Sequence, residues 1–335
     1  MPGSSPPGDA ERATRGGCGR VVAEHHTLTV WHIGGACPLA IFVMNSLRPA
    51  IRSGARLPLA APSSTLLRWV RRPAGAPTLV CLPHAGGSVL SCLGLAAALP
   101  EPLAIATVAL PGHDDPASGA PADTAPPVAD VRVPAGALAA EIARTLASAL
   151  ASEGRGLTLL GNSFGALLAF ETALALERND PACASRLHLV VSGFRSPSRS
   201  PLEAPLHRLP RALLLAELRE CFGAAGPDLG DSLGAREEAA LRADLAACET
   251  YRRDDGRLLR CAVSVIRLAA DPSVSAEESA AWQEVSARPV AFHVLDAGHF
   301  PWGGANGAFA RLVGECVLPS AAAARPLPSP PARQS

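Results

Sequence analysis

The chain has 335 residues, 48% of them apolar, with 30 positive charges (all arginine) balanced by 30 acidic residues. That is enough apolar material for a sizeable core in one large domain or two small ones. The zero net charge, without any basic or acidic run, gives nothing that points to nucleic acid or a charged membrane surface. The absence of lysine and the abundance of Ala, Gly and Pro read as a coding bias without functional meaning. The nine cysteines are scattered, lack Cys-x-x-Cys spacing and mostly sit in apolar runs, so buried free thiols in a reducing, cytoplasmic compartment are expected. No His/Cys/Asp/Glu group has metal-ligand spacing, and neither a metal nor a cofactor is expected.

Residues 1–64 read as a disordered or non-native extension, because Pro, Gly, Ser and Arg dominate both of its ends. Its apolar run Leu28 to Met44 follows Arg12, Arg15 and Arg20, as a signal or anchor would, but His32, Gly34-Gly35 and Pro38 interrupt it. Met44 is the only methionine besides Met1, and a natural start there is expected. From Thr65 the pattern changes: strands are predicted at Leu66–Val70, Thr78–Leu82 and Leu103–Leu110. Between the last two lies the glycine-rich loop Pro83-His84-Ala85-Gly86-Gly87-Ser88, opening a helix over 89–99. A surface loop over 116–134 precedes an amphipathic helix, in which Leu138, Ile142, Leu146 and Leu150 recur every fourth residue.

Next, the apolar run Leu157–Leu160 meets Gly161-Asn162-Ser163-Phe164-Gly165, and an alanine- and leucine-rich helix follows. Strand, abrupt turn and helix around Gly-x-Ser-x-Gly form the context of a nucleophile elbow, with Ser163 at its tip. Leu187–Val191 is a further strand; residues 196–258 then break the alternation with two helical stretches, Arg211–Cys221 and Ala235–Tyr251, expected to form a lid over the site. Strand Cys261–Leu268 ends at Asp271, and strand Val290–Leu295 ends at Gly298-His299-Phe300. Helices are predicted over 276–285 and 305–317, and 319–335 reads as a disordered Pro/Ala tail. Strands alternating with helices imply an α/β fold, with a mainly parallel sheet covered on both faces.

Acyl transfer from a serine needs a base, a carboxylate that orients the base, and N–H donors for the developing oxyanion. Strand ends supply Ser163, Asp271 and His299 in the order Ser, acid, His, as in an α/β-hydrolase. His84 and His113 are rival bases but precede the serine, and Asp296 is a rival acid only three residues before His299. The oxyanion donors are expected to be the backbone N–H groups of Phe164 and Ala85, with a phosphate-cradling glycine loop disfavoured by the absent lysine.

Taken together, Cys81-Leu82-Pro83-His84-Ala85-Gly86-Gly87-Ser88, Leu110-Pro111-Gly112, the serine elbow through Glu171, Leu241-Arg242-Ala243-Asp244 with Glu249-Thr250-Tyr251, and Gly298-His299-Phe300 resemble the type II thioesterases. These are the stand-alone editing enzymes of polyketide and nonribosomal peptide assembly lines, and the resemblance covers about residues 65–318. It implies hydrolysis of acyl groups from the phosphopantetheine thiol of acyl or peptidyl carrier proteins. A helical lid, a monomer and no resident cofactor go with it, and Ser163, Asp271, His299, Ala85 and Phe164 take the roles given above. The chain departs from that pattern at Asn162, where histidine is usual, at Phe164, where methionine is usual, at Ala269-Ala270 and at Ala297. A product-releasing or fatty-acyl carrier thioesterase and a degenerate, partner-binding hydrolase are the other readings.

Overall fold

A computed structural model describes residues 66–110, 112–113, 134–150, 156–199, 205–222, 233–253, 255–303 and 307–317. The expectations for 1–64 and 319–335, and nearly all of the loop over 116–134, lie outside the described residues. Seven strands form one sheet: β1 (Leu67–Arg71), β2 (Thr78–Leu82), β3 (Ala104–Val108), β4 (Leu157–Asn162), β5 (Leu187–Ser192), β6 (Ala262–Leu268) and β7 (Ala291–Leu295). Their order is β1-β3-β2-β4-β5-β6-β7. Only β1 runs antiparallel to its neighbour, with an irregular register between Trp69 and Arg71; the other five pairings are parallel.

The helices are α1 (Leu93–Ala98), α2 (Ala135–Leu150), α3 (Phe164–Asn179), α4 (Arg211–Phe222), α5 (Ala235–Glu249), α6 (Ala276–Ala280) and α7 (Gly307–Val317). Side chains alternate across each central strand, so one apolar core lies on each face of the sheet. Val80, Leu82, Leu159, Leu189 and Val263 join α2 and α3 in one core; Leu79, Cys81, Leu160, Val190 and Ile266 join α1 and α7 in the other. The stripe Leu138, Ile142, Leu146 on α2 is buried, as its spacing predicts. Helix α3 is buried nearly all round, which its uninterrupted apolar composition requires. Glu177 at its far end accepts from the amides of Arg260 (3.0 Å) and Cys261 (2.8 Å), fixing the chain just before β6. The seven described cysteines are free, and among the described residues no helix is long and apolar enough to cross a membrane.

Helices α4 and α5 lie in the segment between β5 and β6 and build a small core of their own from Leu206, Leu214, Leu218, Leu241 and Leu245, against which Ala85 packs. Polar bonds tie this insertion together and to the sheet domain. Glu238 pairs with Arg242 (2.8 Å) and with Arg211. Arg242 donates in turn to the carbonyls of His207 (2.9 Å) and Leu209 (2.8 Å). The Glu249 carboxylate accepts from the Leu206 amide at 2.9 Å and from the His207 ring, and the Tyr251 hydroxyl donates to Glu171 on α3.

Candidate active site

Ser163 stands between β4 and α3 with φ 54° and ψ −127°, the only described non-glycine residue at positive φ. Such a backbone costs about 1–3 kcal/mol and persists only where its surroundings over-determine it. Two glycines do so here. A Cβ on Gly161 would stand 2.1 Å from the Gly165 carbonyl oxygen, and one on Gly165 would stand 2.0 Å from the Leu82 carbonyl oxygen. The Ser163 amide donates to the Ser192 carbonyl on β5 (3.0 Å), which pins the turn from the other side.

Asp271 and His299, from the loops after β6 and β7, meet: His299 Nδ1 donates to Asp271 Oδ2 at 2.8 Å. Both are buried, at 6% and 2% exposure. Burial pushes the Asp271 carboxyl up, but the hydrogen bond and charge of His299, with two bonds from Ser273, outweigh it and hold the carboxyl below its ordinary value. Ser273 gives the other oxygen, Oδ1, its amide (2.9 Å) and its hydroxyl (2.6 Å), and its Oγ lies 3.1 Å from His299 Nδ1. The two loops are zipped by backbone bonds, Ala269 N–H to Leu295 O (2.8 Å) and Ala270 N–H to Ala297 O (3.1 Å).

The base loop is also tied to the elbow. Asn162, 1% exposed, donates through Nδ2 to the His299 carbonyl (3.0 Å) and accepts at Oδ1 from the Ser192 hydroxyl (2.7 Å). His299 therefore sits beside the serine turn with Nδ1 engaged, while its Nε2 is buried and takes no hydrogen bond among the described residues. Phe222, the last residue of α4, covers the ring, with centroids 4.3 Å apart.

In the loop after β2, Pro83 to Ser88, three of the five amides are in use. Gly86 N–H goes to Asp244 Oδ2 (2.9 Å), Gly87 N–H to the His84 carbonyl (2.9 Å) and Ser88 N–H to Ser91 Oγ (3.1 Å). Among the described residues no hydrogen bond uses the amide of Ala85 or that of Phe164. Among the described residues none of the rival residues bonds Asp271 or His299. His84 donates through Nδ1 to the Ala85 carbonyl (2.9 Å), and burial lowers its pKa to about 4. His113 Nε2 stands 2.9 Å from Asp244, and Asp296 is exposed and does not bond His299. Among the described residues no group of three or more His, Cys, Asp or Glu side chains could hold a metal ion.

A serine at a strained elbow, a carboxylate-bound imidazole and unused amides are the groups that acyl transfer from a serine requires. Residues 77–315 match the Thioesterase domain family. The chain belongs to this family. Among its thioesterase relatives, the "Probable cadicidin biosynthesis thioesterase" of Streptomyces griseus is 33% identical over 248 residues, covering 72% of this chain and 64% of that one. "Thioesterase PikA5" of Streptomyces venezuelae is 32% identical over 240 residues, covering 69% and 79% of the two chains. The chain thus spans under two thirds of the first relative's length. A solved structure, the type II thioesterase BorB from the borrelidin biosynthetic cluster, superposes with a TM-score of 0.62 at 32% identity, covering 77% of this chain and all of that one. The fold is that of the α/β-hydrolase thioesterases, as the alternating strands and helices predict.

Within this thioesterase frame, three neighbours of the site go beyond the residues picked from the sequence. Ser273 had a local signal, since Asp-x-Ser favours an i to i+2 side-chain bond. Phe222 and Asp244 had none that reaches the site, because each arrives from the helical insertion.

Proposed function

We propose that this protein is a serine thioesterase that hydrolyses acyl groups from the phosphopantetheine arms of acyl or peptidyl carrier proteins, clearing stalled or mis-primed units from a polyketide or nonribosomal peptide synthase. The observation that carries the reading is the buried Asp271–His299 pair with Nε2 unengaged, tied through Asn162 to the strained Ser163 turn. The relatives named for cadicidin and borrelidin biosynthesis support the choice of substrate.

Ser163 Oγ attacks the thioester carbonyl as His299 Nε2 takes its proton, and Asp271 stabilises the imidazolium and keeps Nδ1 protonated. The tetrahedral oxyanion accepts from the amides of Ala85 and Phe164. Its collapse breaks the C–S bond, and the departing thiol takes the proton back from His299. Water, deprotonated by the same imidazole, then releases the acid from the seryl ester and restores Ser163. Helices α4 and α5, with Phe222 over the imidazole, act as the lid that keeps bulk water from this sequence.

Wild type and Ser163→Ala are assayed on acetyl- and propionyl-loaded carrier protein and on the matching N-acetylcysteamine thioesters. The expected result is release by the wild type, faster from the carrier, and a loss of at least about 10³-fold in Ser163→Ala. Undiminished release by the variant contradicts the serine mechanism; preference for the small thioesters contradicts the carrier assignment.

A further inference from the structure

Asp244 lies on α5, in the helical insertion, yet its carboxylate reaches the loop after β2. It is 7% exposed. Its Oδ2 accepts from the Gly86 amide at 2.9 Å, across a sequence separation of 158 residues. The same oxygen stands 2.9 Å from His113 Nε2, on the loop after β3. Leu241, one turn earlier on α5, presses on Gly86 itself: a Cβ there would stand 3.1 Å from Leu241 Cδ1, and Gly86 adopts φ +71°. The Ala85–Gly86 peptide is thereby held at both ends. Its N–H is bound by Asp244 and its C=O by the His84 ring, at 2.9 Å each.

A buried carboxylate is costly unless its charge is used, and a hydrogen bond from an amide to a charged acceptor is among the stronger ones. Here the bond removes the Gly86 amide as a donor to substrate and fixes the plane next to the one that carries the Ala85 amide. We infer that Asp244 is a positioning residue for the oxyanion hole: from the helical insertion it clamps the 85–86 peptide, so that the Ala85 N–H is directed at the acyl oxygen. The hole is complete only while α5 is seated, which couples closure of the insertion to catalysis. This rests on the serine thioesterase reading above.

The test compares full-length wild type, Asp244→Ala, Asp244→Leu (closer to aspartate in shape) and Asp244→Asn on propionyl-N-acetylcysteamine. With the clamp removed, kcat falls about 10- to 100-fold with KM changed less than about twofold, since removing one oxyanion donor outright costs more. Asp244→Asn, whose Oδ1 can still accept from Gly86, recovers most of that loss. A propyl trifluoromethyl ketone, which forms the oxyanion on Ser163, loses affinity in Asp244→Ala and Asp244→Leu in step with kcat/KM, whereas the corresponding unreactive alcohol binds as to wild type. Wild-type kcat in whichever of the Ala or Leu variants folds, or equal weakening of ketone and alcohol, overturns the inference while leaving the serine mechanism intact. Undiminished turnover by Ser163→Ala overturns the serine mechanism and this inference with it.

Discussion

His299 is held at three points: Nδ1 by Asp271, the backbone carbonyl by Asn162, and the ring face by Phe222. The first sets the tautomer, so Asp271→Asn lowers kcat by about 10³- to 10⁴-fold with little change in KM, read from steady-state thioester hydrolysis. Asn162 is where the residues before and after Ser163 matter most. Histidine is usual at that position in the resemblance noted above, and the amide here serves two partners at once, Ser192 and the His299 carbonyl. Asn162→Ala leaves both unpaired in a buried place and costs about 2–3 kcal/mol in denaturant unfolding. His84 carries a pH dependence of its own. Its folded pKa is lowered, by burial first, from 6.5 to about 4. Between those values the unfolded chain binds a proton that the folded chain does not, so stability falls as the pH drops from 6.5 towards 4. Urea unfolding of His84→Gln over this window shows a flatter profile than wild type; parallel profiles contradict the assignment.

At the scale of elements, the elbow depends on close contact of backbones. Gly165 faces the Leu82 carbonyl with no room for a methyl group. Gly165→Ala must push β2 away from the start of α3, and the expected outcome is a loss of at least about 3 kcal/mol or failure to fold, seen as a thermal shift or insolubility. This element is also the most legible in the sequence, because strand, Gly-x-Ser-x-Gly and helix follow one another without a gap and every cue is local. The predicted strands fall within a residue or two of those observed. The helices over 89–99 and 276–285 do not hold as single α-helices, since each divides into a short α segment and a 3₁₀ turn. Ser88 caps the first 3₁₀ turn and Ser275 the short α6, each side chain to backbone, a detail that hydrophobic periodicity alone does not carry. Nor does periodicity give the antiparallel setting of β1, which is fixed by its pairing with β3.

Over the whole molecule, the parallel sheet gathers at one edge what the chain keeps apart: the loops after β2, β4, β6 and β7 supply Ala85, Ser163, Asp271 and His299. The order of chemistry-bearing strand ends was readable because each motif is local and the fold class sets where strand ends meet. Contacts between residues far apart in the chain were not. Leu241-Arg242-Ala243-Asp244 and Glu249-Thr250-Tyr251 are visible as motifs, but the pairing of Asp244 with Gly86, Glu249 with Leu206, and Tyr251 with Glu171 needs the folded chain. The insertion is thus fastened to the glycine-rich loop after β2 and to the elbow helix together. The most direct measurement of the central claim is rapid quench of the protein with propionyl-loaded carrier protein, followed by peptide mass spectrometry. The account predicts a propionyl ester on Ser163 that forms before free acid accumulates and is absent from Ser163→Ala. Free acid released at the wild-type rate by Ser163→Ala, with no acylated peptide in either protein, would contradict it.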